Sequence, residues 1–297
     1  MHARALLSLL LALGLHARAQ DGAGRPAASI EPAELASLLE GGAVKVIDVR
    51  PAEEYAAGHV PGALHLDRRA FDNPDQARDG KVVAPERLNQ LLSERGVGRD
   101  DALVVYSGQR SPQMATRLWW LLRGYGHAGA VRVLDGAWEG WVAAGQATQA
   151  GPPPAATPSR YEVGPFDATQ LADKAAVEGR GPNVVLLDVR DLDEFTGARV
   201  SSGAGRGGRI PGAVHLLFRE NLTPEGRLKP AEELRERYAR LGIGPETEVI
   251  VYCMRAHRAS HTCFVLKELL GCERVRVYNG SWIEWSNDPD RPVETGR

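Results

Sequence analysis

The chain has 297 residues, a length that corresponds to about two domains, each large enough to bury its own core. Its content of 43% hydrophobic and 25% charged residues is ordinary for a globular protein. The formal net charge of −2 gives no overall basic field, which argues against nucleic acid or an anionic membrane as the principal partner.

The first twenty residues differ from the rest of the chain. Arg4 is followed by an almost wholly apolar run over residues 5–15, which is too short for a membrane span of about 20 residues. Residues 17–19, Ala-Arg-Ala, match the small-x-small pattern of a signal cleavage site, so residues 1–19 are predicted to be a cleaved secretory signal. An uncleaved amphipathic anchor is the alternative. With cleavage, the mature protein is expected in the periplasm or outside the cell, without stable membrane insertion.

The remaining chain contains one sequence pattern twice. Residues 46–50, Val-Ile-Asp-Val-Arg, return at 186–190 as Leu-Leu-Asp-Val-Arg. Each is an apolar run that ends in Asp-x-Arg, which predicts a buried strand with polar residues at its end. A Pro-Gly-Ala turn and a second short strand, 64–66 or 214–216, follow in both copies.

The second half of each copy alternates strands with helices. A buried strand of the parallel type is followed by a loop, a helix, a further strand and a Gly-x-Trp turn. In the first copy the strand is predicted over 103–106, the helix over 114–122 and the second strand with its turn over 131–138. The corresponding segments of the second copy are 249–252, 260–270 and 275–282. This order predicts α/β domains, each with a mainly parallel sheet flanked by helices.

The repeat divides the chain into two domains, predicted over 28–147 and 161–294. The proline-rich segment 148–160 is predicted to be an extended, semi-rigid linker, because proline continues neither a helix nor a central strand. The second copy also has an extra glycine-rich segment, 201–208, which is predicted to be a flexible surface loop.

The loop after strand 249–252 predicts a reaction centre in the second copy. Cys253 ends the strand, Arg255 and Arg258 follow, and the first copy has Ser107 at the position of Cys253. Ligands of open parallel sheets bind beyond the carboxyl ends of strands, and helix N-termini attract anions. Such a setting favours a thiolate, so Cys253 is predicted to be a nucleophile that meets an anion. Ser107 has no evident base, so the first copy is predicted to be inactive.

All three cysteines of the chain lie in the second copy. Cys263 and Cys272 are predicted to pack as small apolar residues, and the odd number leaves at least one thiol unpaired. A metal site formed by Cys253, His257, His261 and Cys263 is the alternative. No metal is expected, because the loop and the helix direct these side chains to different faces.

The paired Asp-Val-Arg strands, the Pro-Gly-Ala turns, the Cys-x-x-x-x-Arg loop and the Gly-x-Trp motifs together resemble the tandem rhodanese, or sulfurtransferase, family. The resemblance implies two rhodanese-like domains, the amino-terminal one catalytically silent. It implies that Cys253 accepts a sulfane sulfur as a persulfide from a small donor, thiosulfate or 3-mercaptopyruvate. The acceptor would be cyanide, a thiol or a protein, and no cofactor is implied because the thiolate itself carries the sulfur.

The resemblance also assigns the residues around Cys253. The loop would supply N–H groups to the transferred sulfur and its anionic donor, through Met254, Arg255, Ala256, His257 and Arg258. Asp188 and Arg190 stand where the family has residues that order the site. Glu194 stands where donor-specific tandem members tend to have arginine, and Ala256 lies near their usual glycine. The loop is therefore more similar to that of single-domain rhodaneses, and the donor stays open.

Two other functions are compatible with the pattern. Cysteine-dependent phosphatases have a related loop, but theirs encloses five residues, whereas four lie between Cys253 and Arg258. The smaller ring of N–H groups favours a single sulfur atom over a phosphate group. A non-catalytic rhodanese-fold protein that binds partners or carries sulfur is the other alternative, against which the retained Cys253 and Arg258 argue.

Overall fold

A computed structural model describes residues 28–296 of the chain, so the predicted signal segment 1–19 lies outside the described residues. Within residues 28–296 the strands form two five-stranded sheets in which all neighbours pair in parallel. No helix in this part of the chain is both long and apolar enough to cross a bilayer. The two predicted α/β domains are confirmed.

Domain 1 has the strand order β1-β5-β4-β2-β3. Its elements are β1 (Ser29–Ile30), α1 (Pro32–Glu40), β2 (Lys45–Asp48), α2 (Ala52–Ala57), β3 (Leu64–His65), α3 (Gln76–Asp79), α4 (Pro85–Ser93), β4 (Leu103–Tyr106), α5 (Gln113–Gly124), β5 (Val131–Leu134) and α6 (Ala137–Ala143). The central strand β4 is buried along its whole length, as its apolar, β-branched sequence predicts.

Domain 2 repeats this topology with the order β6-β10-β9-β7-β8. Its elements are β6 (Leu171–Ala172), α7 (Lys174–Glu178), β7 (Val184–Asp188), α8 (Leu192–Thr196), β8 (Val214–His215), α9 (Ala231–Ala239), β9 (Glu248–Tyr252), α10 (His257–Phe264), β10 (Val275–Tyr278) and α11 (Ser281–Asn287). The helix predicted over 260–270 therefore begins three residues earlier, and its last part, Val265–Leu269, is a π-helical turn.

One apolar core joins the two domains. Helices α5 and α10 pack against each other, and the rings of Trp119 and Phe264 meet edge to face at 5.0 Å. The loop after each central strand contacts the other domain, since His257 bonds to Asp72 and Arg219 donates to the carbonyl of Arg110. The interface therefore places the Cys253 loop against domain 1.

The predicted linker boundaries differ from the structure. Gln149 exchanges two backbone hydrogen bonds with His59, so domain 1 extends past the predicted end at 147. Tyr161, predicted to open domain 2, is buried and donates its backbone N–H to a side chain of α4. The chain stays bonded to domain 1 up to Asp167, whose N–H donates to the last carbonyl of α5. The chain from 159 to 167 thus docks on domain 1, which composition alone does not reveal.

The glycine-rich segment 201–208 is not the flexible loop expected from its composition. The Arg206 guanidinium donates to three backbone carbonyls near the end of the chain, those of Ser286, Asp288 and Arg291. A Cβ atom at Gly208 would overlap the carbonyl oxygen of Glu294. Glycine is needed here because the loop lies tightly against the last residues of domain 2.

Candidate active site

Cys253 lies at the end of the central strand β9 and directly before the helix α10. Its side chain is buried, with 1% of its surface exposed. The turn into α10 depends on Ala256, whose φ of +64° is in the left-handed region that favours glycine. The chain thereby reverses within four residues, 253–256, and brings the N-terminus of α10 beside the thiol.

Ser281 holds this loop. Its hydroxyl accepts hydrogen bonds from the backbone N–H groups of Cys253 (3.3 Å) and Ala256 (3.0 Å), and it donates to the carbonyl of Tyr278 (2.8 Å). The sequence predicts that the loop from Met254 to Arg258 supplies N–H groups to the transferred sulfur. The N–H group of Ala256 is not free for this role, because it is bonded to Ser281. Sequence reasoning also missed Ser281, although the first copy has Ala137 in the equivalent Gly-x-Trp motif.

Arg258 and Glu194 form an ion pair beside the loop. The Arg258 guanidinium donates to both carboxylate oxygens of Glu194, at 2.7 and 3.2 Å. Burial alone would raise the pKa of Glu194, but the bonds from Arg258 hold it at about 2. The predicted loop arginine is therefore charged, and Glu194 balances that charge.

Asp188 and Arg190 build the end of strand β7. Arg190 donates to Asp188 at 2.6 Å and to the carbonyl of Gly208 at 2.7 Å, and its guanidinium lies 4.5 Å from the ring centre of Trp282. Domain 1 has the same arrangement, made by Asp48, Arg50, Gly58 and Trp138. Because both copies share it, the pair supports the fold of each loop, and its bonds do not distinguish the Cys253 loop from the Ser107 loop.

Domain 1 contributes to the site through Asp72. The His257 Nε2 atom lies 2.7 Å from Asp72 Oδ1. Burial lowers the pKa of His257, although the bond to Asp72 acts in the opposite direction. Burial alone would raise the pKa of Asp72, but the bond from His257 outweighs it, and the pKa of Asp72 is lowered. At neutral pH a neutral imidazole thus donates from Nε2 to a carboxylate, which leaves Nδ1 as the ring's acceptor. The structure places His257 against domain 1, where sequence reasoning left it either tuning the thiol or facing solvent.

Sequence reasoning also missed Arg117 and Asn279. Arg117, on the domain 1 helix α5, has 1% of its surface exposed and donates from Nη2 to Asn279 Oδ1 at 2.9 Å. Asn279 lies two residues before Ser281. One signal was available, since Arg117 is a charged residue inside the otherwise apolar run of its helix.

Met254 and Arg255 form the outer part of the loop. Met254 is half-buried, and its carbonyl accepts from the backbone N–H of Ile283 at 3.1 Å, while Arg255 is exposed. The other two cysteines, Cys263 and Cys272, are buried in the core, as expected for small apolar residues. Burial raises the pKa of Cys272 to about 11.

The metal alternative has no support among the described residues. His257 bonds to Asp72, and His261 packs edge to face on Phe218. No group of three or more His, Cys, Asp or Glu side chains suited to a metal ion occurs within residues 28–296.

The corresponding loop of domain 1 has a different construction. Ser107 is buried, and its hydroxyl donates to the carbonyl of Pro112 at 3.3 Å. Six residues, 107–112, separate β4 from α5, compared with four between β9 and α10. The position of Ser281 is occupied by Ala137, which has no hydroxyl. Domain 1 therefore lacks both the thiol and the acceptor that holds the short loop.

Known proteins share this organisation. A family model described as rhodanese-like domain matches residues 31–144 and 171–288. The thiosulfate sulfurtransferase of Corynebacterium glutamicum is 36% identical over 251 residues, which cover 82% of this chain and 81% of that protein. The sulfur carrier protein TtuD of Thermus thermophilus is 35% identical over 276 residues, with 87% and 93% covered.

Solved structures show the same fold. The crystal structure of YnjE aligns with a TM-score of 0.80 and 26% identity over 91% of this chain and 68% of its own. A structure of EanB that holds a cysteine persulfide with ergothioneine, in a tetrahedral intermediate state, aligns with a TM-score of 0.80 and 25% identity over 91% of this chain and 71% of its own.

Proposed function

The chain belongs to the rhodanese-like domain family, and we propose that it is a sulfurtransferase in which Cys253 accepts a sulfane sulfur from a small donor and passes it to a thiophilic acceptor. The observation that carries this proposal is the position of Cys253. It is a free thiol at the end of a central strand, at the N-terminus of a helix, in a four-residue loop that Ser281 holds in place. This is the setting in which a thiolate is stabilised and an anion is bound.

The proposed reaction has two steps. The Cys253 thiolate attacks the outer sulfur of thiosulfate, the sulfur–sulfur bond of the donor breaks, and sulfite leaves with its electron pair. With 3-mercaptopyruvate, the carbon–sulfur bond breaks instead, and the carbon takes the proton of the donor thiol to give pyruvate. In the second step, cyanide or an acceptor thiolate attacks the outer sulfur of the persulfide and releases the Cys253 thiolate. Each step is a displacement at sulfur that needs no cofactor.

The loop geometry supports a small sulfur anion over a phosphate ester. The ring between Cys253 and Arg258 encloses four residues, and one of its N–H groups, that of Ala256, is bonded to Ser281. The Arg258 guanidinium is engaged by Glu194. A tetrahedral phosphate would need a larger ring of free N–H groups and an unpaired arginine. The exposed Arg255 is the loop cation that solvent-borne anionic donors meet first.

The proposal is tested by thiocyanate formation from cyanide, with thiosulfate and with 3-mercaptopyruvate as donors. We expect the wild type to form thiocyanate with at least one donor, and Cys253→Ser to form none. Cys263→Ser, which changes a thiol in the core, is the control and should form thiocyanate as the wild type does. Mass spectrometry after donor treatment should show the mass of one added sulfur on the Cys253 peptide. Absence of product from both donors, together with absence of a persulfide, would contradict the proposal.

A non-catalytic sulfur carrier is the second candidate, because one relative bears that name. A carrier would form the Cys253 persulfide but would not turn over with cyanide or small thiols. Persulfide formation without thiocyanate, followed by transfer to a protein acceptor, would favour the carrier. Hydrolysis of an aryl phosphate that is lost in Cys253→Ser would favour a phosphatase.

We also propose a cellular compartment for the protein. The apolar run and the small residues before Gln20 support export to the periplasm or beyond, followed by cleavage after Ala19. Amino-terminal sequencing of protein recovered from the periplasmic fraction should begin at Gln20. Recovery of the uncleaved chain in the cytosol would contradict export.

A further inference from the structure

Arg117 is a buried cation with unused hydrogen-bonding capacity. Among the described residues its Nη2 atom donates to Asn279, while Nε and Nη1 have no hydrogen-bond partner although they are inaccessible to solvent. The guanidinium also lies 4.9 Å from the ring centre of Trp120. Burying an unpaired charge is costly, so a buried arginine with two free donor atoms indicates a negative charge that is present for only part of the time.

The position of Arg117 relates this charge to Cys253. Arg117 is bonded to Asn279, and the hydroxyl of Ser281, two residues further along the same turn, accepts from the N–H of Cys253. Burial lowers the pKa of Arg117 to about 10, and the negative charges of Asp72 and of ionised Cys253 raise it. Arg117 is thus charged at neutral pH, and hydrogen bonds connect both Arg117 and Cys253 to the turn that holds Asn279 and Ser281.

The other charges around the site leave this role open. Arg258 also interacts with the charge of Cys253, but its guanidinium is bonded to Glu194, and Arg255 faces solvent, where water and salt screen its charge. Asp72 is a permanent carboxylate that attracts Arg117 more strongly than ionised Cys253 does, but it accepts from the His257 ring, and no hydrogen bond or ion pair among the described residues joins it to Arg117. Arg117 is therefore the buried cation of the site whose charge no carboxylate binds directly within the described residues.

We propose that Arg117, a residue of domain 1, is the buried counter-ion of the Cys253 thiolate and of the persulfide anion formed from it. The part that concerns the persulfide rests on the proposed sulfur transfer, while the part that concerns the thiolate does not. Arg117 acts on Cys253 through charge, so it is a positioning residue, and the catalytically silent domain supplies it. The sulfur-transfer site is in this sense shared between both domains.

Alkylation of Cys253 by iodoacetamide tests the proposal without any sulfur donor. The thiolate displaces iodide and the thiol does not, so the rate against pH, followed by mass spectrometry of the Cys253 peptide in the full chain, reports the thiolate. In Arg117→Met we expect the pH of half-maximal rate to rise by about one unit and the rate at lower pH to fall about tenfold. In Arg117→Lys, which keeps the charge, we expect a rate within about threefold of wild type.

A matched control exists on the facing helix. His261 of α10 is also buried and lines a small cavity beside Ser107, so it faces the corresponding loop of domain 1. His261→Leu should leave the pH profile of Cys253 alkylation unchanged. The profile is read against the other charged and titratable groups of the site. Arg258 interacts with the charge of Cys253 directly, and the groups that interact with Arg117, His257 or Arg258 are Arg68, Asp72, Tyr125, Asp191 and Glu194.

Two results would overturn the proposal. One is an Arg117→Met profile that coincides with the wild type, and the other is an Arg117→Lys profile shifted as far as that of the methionine variant, since charge would then be irrelevant. If circular dichroism shows that Arg117→Met is unfolded, Arg117→Gln makes the same comparison with Arg117→Lys. Thiocyanate formation by the wild type is measured separately, so failure of the proposed function is distinguished from failure of this inference.

Discussion

The loops that follow β4 and β9 have the same supporting frame and different contents. In both domains an arginine is bonded to the aspartate two residues before it and stacks on the tryptophan of the Gly-x-Trp motif. In both domains the tyrosine that ends the central strand also accepts a hydrogen bond from a backbone N–H group through its hydroxyl. The six-residue loop of domain 1 contains Ser107, whereas the four-residue loop of domain 2 contains Cys253. The frame therefore belongs to the fold, and the chemistry depends on loop length and on a few side chains.

The facing helices extend this comparison across the interface. Arg117 of α5 lies toward the Cys253 loop, and His261 of α10 lies toward the Ser107 loop. Burial lowers the pKa of His261 to about 4, so this ring is neutral at neutral pH, while Arg117 is charged. Each domain thus contributes a buried polar side chain to its neighbour's loop, and only the side chain that faces the cysteine is a cation.

The largest effect is expected when the reacting residues are exchanged between the loops. The double variant Cys253→Ser with Ser107→Cys retains one loop thiol but places it in the longer loop, which lacks the Ser281 hydroxyl. We expect thiocyanate formation to fall on the order of a thousandfold or more relative to wild type. Activity close to wild type in this variant would show that the thiol alone, and not its loop, decides the difference. Ser107→Cys by itself, with Cys253 intact, is the control for folding.

The ion pair beside the Cys253 loop has the next largest effect, on stability. Glu194→Gln removes the bonded carboxylate of the largely buried Arg258 and leaves it only the more exposed Asp191 at 3.6 Å, so we expect the free energy of unfolding in urea at neutral pH to fall by about 3 kcal/mol. Arg132→Gln, which breaks a more exposed pair with Glu34 in domain 1, should cost less than about 1 kcal/mol. Equal losses in the two variants would contradict the assigned burial.

The same ion pair makes the free energy of unfolding of the wild type depend on pH in the acidic range. The pKa of Glu194 is lowered to about 2, so its contribution is fully present above the ordinary carboxyl range and is lost as the pH falls through that range toward 2. Unfolding in urea between pH about 6 and pH about 3 should therefore show a steeper loss of stability in the wild type than in Glu194→Gln. Parallel pH profiles in the two proteins would sink this prediction.

Ser281→Ala replaces the hydroxyl that holds the Cys253 loop by the alanine that domain 1 has at the equivalent position, Ala137. Two backbone N–H groups lose their acceptor, which we expect to cost about 1–2 kcal/mol of stability and to lower thiocyanate formation about tenfold. The reciprocal variant Ala137→Ser provides the matched control, and its activity should equal that of the wild type. If Ser281→Ala is as active as the wild type, the hydroxyl does not hold the loop in its reactive conformation.

The smallest effect concerns the backbone of the Cys253 loop. Ala256 has a left-handed φ, so Ala256→Gly should relieve strain and raise the free energy of unfolding by about 0.5–1 kcal/mol. Ala259→Gly, three residues later inside α10, should lower it by about 1 kcal/mol. Opposite signs in thermal or urea unfolding are the expected result, and a loss in both variants would argue against strain at Ala256.

The repeat and the strands were predictable because they depend on local pattern, and the same pattern marks Cys253 as the proposed nucleophile. Runs such as Val-Ile-Asp-Val-Arg and Val-Ile-Val-Tyr indicate buried parallel strands wherever they occur, and the repeat marks Ser107 and Cys253 as equivalent positions. The domain boundary was less predictable, since the docking of Tyr161 on α4 depends on a surface that is formed only in the folded domain.

Only the tertiary structure determined which charges surround Cys253. The bonds from Arg258 to Glu194 and from His257 to Asp72 join residues 64 and 185 positions apart, and no spacing rule relates such distant side chains. Arg117 is recognisable in the sequence as a charge within an apolar helix, but its direction toward the Asn279 turn follows from the packing of α5 on α10. The sequence by itself thus determined the two domains and pointed to Cys253 as the proposed nucleophile, whereas the charges around Cys253 were decided by the way the two domains meet.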